Sequence, residues 1–108
     1  MTQITLFWGP SFLVGLESKG HSGAAEKGED VVCAAVSSLV HALLLGIKDV
    51  ACMEDVECVV DGTVPLISVR WPEDRAMQLD LLSRTVALSL KEIASGYPGY
   101  VNILEVRT

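Results

Sequence analysis

Positive charge is scarce in this sequence. Eight Lys and Arg residues stand against 14 Asp and Glu over 108 residues, giving a formal charge of −6 and a pI near 4.7. No basic cluster forms the stripe with which a protein displaces counterions from phosphates, which argues against nucleic acid as a direct ligand. Cysteine is sparse and odd in number, at Cys33, Cys52 and Cys58. With no visible export signal, that count argues against a disulfide framework and for reduced thiols. Cys52 and Cys58 form no Cys-x-x-Cys pair and have no nearby His, so neither zinc nor any other cofactor is expected. The start, Met1-Thr2-Gln3-Ile4, lacks a basic n-region. The longest apolar stretch, Val31 to Ile47, is interrupted by Ser37, Ser38, His41 and Gly46 and falls short of the roughly 20 residues of a bilayer crossing. A cytoplasmic protein without membrane contact is the expectation. No repeat, low-complexity tract, linker, P-loop or dinucleotide fingerprint is present, and we expect one domain over residues 1–108.

What the chain does hold is apolar material. Half of its residues are hydrophobic and its mean hydropathy is +0.42, which excludes intrinsic disorder and suffices for a core without staples. Ile4, Leu6 and Trp8 alternate with Thr5 and Phe7. After a Gly9-Pro10 turn, Phe12, Val14 and Leu16 alternate with Leu13, Gly15 and Glu17, which predicts a hairpin. Between Lys19 and Glu29 apolar residues nearly vanish and glycines appear, the pattern of a long loop. Val32, Ala35, Val36, Leu39, Val40, Leu43, Leu44 and Ile47 then fall at helical spacing, in a stripe wide enough to predict burial around most of the helix. Asp30 suits the N-cap or first turn. Val56, Cys58 and Val60, an Asp61-Gly62 turn and the run Val64 to Trp71 predict a second hairpin. Pro72, Glu73 and Asp74 open a second helix with Leu79, Leu82, Val86, Leu90 and Ile93 on one face, stopped by Gly96 and Pro98. Val101 to Arg107 is a last strand. The order ββαββαβ, with two helices each apolar on one side, predicts a two-layer α+β fold on a mostly antiparallel sheet.

Chemistry concentrates between Gly20 and Ser37. Cys33 falls in the first turn of the predicted helix, where unpaired N–H groups and the positive dipole end favour a thiolate and can hold an oxyanion. His21 precedes it across a glycine-bearing loop and could serve as its base. Each residue also has a plainer reading. A Cys on a buried helix is ordinarily an inert small hydrophobe, a loop His is ordinarily solvated, and a nearby Asp30 opposes thiolate formation. His41 reads as a packed helix residue, Trp8 and Trp71 as core or sheet-face residues, and Glu73, Asp74 and Asp80 as a solvated helix face.

The block Gly20-His21-Ser22-Gly23, followed by Lys27-Gly28-Glu29-Asp30-Val31-Val32-Cys33-Ala34-Ala35-Val36-Ser37, resembles the signature of the ribosomal-processing cysteine protease family called Prp. The likeness extends from the opening hairpin to the pattern Leu90-Lys91-Glu92-Ile93 and Gly96-Tyr97-Pro98-Gly99-Tyr100-Val101. The resemblance implies a thiol endopeptidase with Cys33 as nucleophile and His21 as general base. It implies supporting roles for Ser37, one helical turn beyond Cys33, and for Asp30 at the helix start. Gly20, Gly23 and Gly28 correspond to glycines of a loop that opens over the substrate; Ser22 stands where the family often has Ala. The implied substrate is the precursor of a bacterial large-subunit ribosomal protein (the one numbered twenty-seven). The family removes its short N-terminal extension, which carries aromatic residues before the cut, during ribosome maturation. Homodimerisation is also implied. The alternative is a non-catalytic ribosome-assembly binding module on the same fold, which would need neither His21 nor Cys33.

Overall fold

The structure is a computed structural model that describes residues 1–20, 29–63 and 65–107, with residues 29 and 30 by backbone alone. Strands β1 (Thr2–Trp8) and β2 (Leu13–Lys19) form the first hairpin, followed by helix α1 (Glu29–Leu45). A π-helical turn (Gly46–Val50) extends α1 before β3 (Glu57–Asp61), β4 (Leu66–Arg70), helix α2 (Glu73–Gly96) and β5 (Val101–Arg107). The predicted order ββαββαβ is the observed one.

The five strands lie in the order β3-β4-β2-β1-β5. Three neighbouring pairs are antiparallel, while β5 runs parallel to β1 with Thr2 opposite Val101 and Trp8 opposite Arg107. The sheet is therefore mixed. A register shift between Phe7 and Trp8 sets Trp8 opposite Leu13. This irregularity breaks the simple alternation expected of β2, so that Leu13 and Leu16 are both fully buried. The β3–β4 turn is held by Asp61, whose Oδ1 accepts from the Thr63 N–H at 3.0 Å and from Thr63 Oγ1 at 2.7 Å.

One sheet face carries Ile4, Leu6, Leu16 and Val69, all fully buried in a core shared with both helices. Helix α2 supplies Ala76, Leu79, Val86, Ala87 and Leu90. It begins after an extended Pro72 and carries Glu73 and Asp74 in its first turn, where acids meet the positive helix end. Gly46 marks a close approach of the helices: a Cβ there would lie 2.5 Å from Leu82 Cδ2. The opposite sheet face leaves Val59, Arg70, Leu104 and Val106 exposed.

Helix α1 differs from expectation in two respects. Its burial is confined to one stripe, Val32, Val36, Val40, Leu43, Leu44 and Ile47, while Val31 is 68% exposed and Ala34, Ala42 and Leu45 also face outward. A two-layer fold offers a helix only one covered side, however wide its apolar stripe. In addition, the π-turn prolongs the apolar run to Val31–Val50, 20 residues of mean hydropathy 2.0, which by length and composition alone could span a bilayer. In the fold this run instead packs its inward stripe into the core.

Candidate active site

Helix α1 starts at Glu29, so Cys33 is its fifth residue rather than part of its first turn. The consequence for chemistry is small. Side chains on a helix lean toward its N-terminus, so the Cys33 thiol lies back toward the turn whose N–H groups lack intrahelical acceptors. Asp30 is the second helical residue, in the first turn as predicted. His21, Gly23 and Gly28 lie outside the described residues.

Cys33 is half-buried, with a free thiol, on the wall of a cavity of about 430 Å³. The α1 side of that cavity consists of Cys33, Val36, Ser37, Val40 and His41. Facing it are Thr2 and Ser18 of the first hairpin, Gly20, and the β3–β4 hairpin with Val60, Asp61, Leu66 and Ile67. The walls are mostly apolar, and polar groups converge near the sulfur, the usual make-up of a ligand site. Gly20 adopts φ +86°, a left-handed conformation suited to glycine. Its N–H donates to the Pro65 carbonyl at 2.8 Å, fixing the end of β2 beside the cavity.

Ser37 and His41 follow Cys33 at successive four-residue steps, so the three share one helix face. His41 Nδ1 lies 2.8 Å from the Ser37 carbonyl and 3.3 Å from Ser37 Oγ. A carbonyl can only accept, so Nδ1 carries a proton and Nε2 is the nitrogen left for other partners. This corrects the expectation that His41 is packed: it is exposed and lines the same cavity as Cys33. An apolar run locates a helix but does not say which of its residues face out. Ser37 meets His41 through its hydroxyl, a contact the sequence did not suggest.

Thr2 is the other residue that sequence reasoning missed. It is 4% exposed, and its Oγ1 lies 3.8 Å from Cys33 Sγ and 3.3 Å from the Gly20 carbonyl. The available signal was its register: Thr2 precedes Ile4 and Leu6 at two-residue steps, a hydroxyl on the inward stripe. Among the described residues, no group of three or more His, Cys, Asp or Glu side chains gathers to hold a metal ion.

The family model for cysteine protease Prp matches residues 1–102. The chain belongs to the Prp family of cysteine proteases. It is 33% identical over 94 residues to the ribosomal processing cysteine protease Prp of Mycoplasma pneumoniae, covering 85% of this chain and 87% of that protein. The Mycoplasma genitalium Prp is 30% identical over 90 residues, covering 83% and 86%. Among solved structures, SMU.848 from Streptococcus mutans superposes with a TM-score of 0.87 at 25% identity, covering 100% of this chain and 96% of that one. The Prp protease from S. aureus, solved with a substrate peptide, gives a TM-score of 0.80 at 18% identity with both chains fully covered, and so shares the fold. The two-layer α+β architecture is thus that of Prp structures.

Proposed function

We propose that this protease removes the short N-terminal extension of a bacterial large-subunit ribosomal protein precursor (the one numbered twenty-seven), with Cys33 as nucleophile and His21 as general base. The observation that carries this reading is the position of Cys33: a reachable thiol near the start of α1, on the wall of a mostly apolar cavity. The names of its Mycoplasma relatives, ribosomal processing proteases, support the substrate class. The Cys33 thiolate attacks the scissile carbonyl, and N–H groups of the first turn of α1 stabilise the oxyanion. His21 protonates the leaving amine, after which water hydrolyses the thioester. Asp30 fixes the helix start, and Ser37 supports the site from one turn beyond Cys33. Val36, Val40, Leu66 and Ile67 suit the aromatic residues that precede the cut in the family's substrates.

The test is cleavage of an extended precursor peptide by the wild type, Cys33→Ala and His21→Ala. Both variants are expected to lose essentially all activity while keeping the wild-type circular dichroism spectrum. Cleavage at the wild-type rate by either variant would overturn that residue's role. A basic precursor also suits a chain of charge −6. The same reading makes the protein a cytoplasmic homodimer. The outward apolar residues Val31, Leu45, Met77, Leu81 and Leu88 of the two helices offer a surface for a second copy, which sedimentation would detect.

A further inference from the structure

Thr2 opens β1, and its backbone is fixed independently of its side chain: its N–H donates to the Tyr100 carbonyl at 3.0 Å and its register partner is Val101. The hydroxyl points to two groups, the Gly20 carbonyl at 3.3 Å and Cys33 Sγ at 3.8 Å. A hydroxyl has one proton and two lone pairs. The Gly20 oxygen can only accept, so in the resting state the Thr2 proton points to it, leaving a lone pair for the Cys33 S–H. The resting chain therefore runs from the thiol to Thr2 to Gly20.

Ionisation of Cys33 reverses one link of this chain. The S–H bond breaks and its proton leaves to the catalytic base, so the sulfur becomes an anionic acceptor with nothing to donate. An anionic acceptor outcompetes a neutral carbonyl for the same proton. We propose that Thr2 is a positioning residue for the nucleophile: its hydroxyl turns from the Gly20 carbonyl to the Cys33 sulfur once the thiol has lost its proton. This rests on the reading of Cys33 as nucleophile. No covalent bond of Thr2 changes, and Gly20 keeps its N–H bond to Pro65 throughout. The device thus couples the charge on the sulfur to the carbonyl immediately before His21.

The experiment follows alkylation of Cys33 by iodoacetamide against pH in the full chain, with peptide mass spectrometry separating Cys33 from Cys52 and Cys58. Thr2→Val removes the hydroxyl and keeps the shape. It is expected to move the Cys33 profile up by about one pH unit, a roughly tenfold loss of thiolate on the acid side of the midpoint. Thr2→Ala must give the same shift, which guards against a defect peculiar to valine, and Thr2→Ser must restore the wild-type profile. Among the described residues, His41 and Asp61 are the other titratable groups lining the cavity, and all three variants leave them in place. In peptide cleavage, kcat falls in the valine and alanine variants while KM holds. Superimposable profiles for wild type, Thr2→Val and Thr2→Ala would overturn the proposal. Failure of the nucleophile reading is seen separately, as cleavage that survives Cys33→Ala.

Discussion

The two ends of strand β1 are built on different principles. At the Trp8 end, large flat side chains and ions are locked together. Trp8 Nε1 donates to Glu105 at 2.9 Å, Lys91 pairs with the same carboxylate at 3.1 Å, and the Arg107 guanidinium lies 5.0 Å from the Trp8 ring centre. Arg70 sits 3.8 Å over Phe7 on the other face, and the buried Trp71 indole donates to the Leu13 carbonyl at 2.9 Å. At the Thr2 end there are small hydroxyls, a left-handed glycine, a thiol and a cavity. The difference separates duties: one end secures strand order through contact area and a shared carboxylate, and the other leaves space beside the Cys33 sulfur.

Substitutions at the two ends should therefore fail in different ways. The largest effect on stability is expected from Trp71→Ala, which empties a site 4% exposed in the wild type and removes the indole's hydrogen bond to the Leu13 carbonyl. A loss of about 3–5 kcal/mol is expected, read as a lower urea midpoint, with the remaining folded molecules cleaving peptide at the wild-type kcat. At the other end, Val60→Asp alters a cavity-lining residue that is 62% exposed. Stability should stay within about 0.5 kcal/mol, while KM for a peptide with apolar residues before the cut rises roughly tenfold. The same change at Val59, which points to the opposite sheet face, should leave KM alone and so marks the side from which peptide enters.

The smallest expected effect belongs to Glu105. The Lys91 hydrogen bond, and secondarily that of Trp8, holds its carboxyl below the usual carboxylate range. A depressed folded value stabilises the fold above the ordinary carboxylate range, and that contribution disappears as the pH falls through and below it. Glu105→Gln should flatten this part of the stability profile and cost less than about 1 kcal/mol at neutral pH, because the pair is solvent-exposed. Thermal melts at neutral and acid pH measure it.

The same two ends differ in how far they could be read in advance. Strand and helix order was legible throughout, because period-two and helical spacings alternate cleanly and Asp61-Gly62, Pro72 and Gly96 punctuate them. The parallel β1–β5 pair was not, since composition is silent about which edge a last strand joins. Cys33 and His21 stood out through the resemblance of their whole block rather than through spacing. His41 was misread because an ionisable residue inside an apolar run looks interior until the helix has a covered side. Thr2 carried only a faint mark, a hydroxyl in step with Ile4 and Leu6, and its importance depends on a contact 31 residues away in sequence.

The pairing of β1 with β5 also governs the order in which this enzyme comes into being. One flank of β1 is satisfied by its immediate successor in the chain, the other by residues synthesised almost a whole chain-length later. Contacts between such distant segments form slowly, because a large loop must close before they return any stabilisation. The strand that brings the Thr2 hydroxyl to the Cys33 sulfur is thus secured on its second flank only by closing a loop that spans most of the chain.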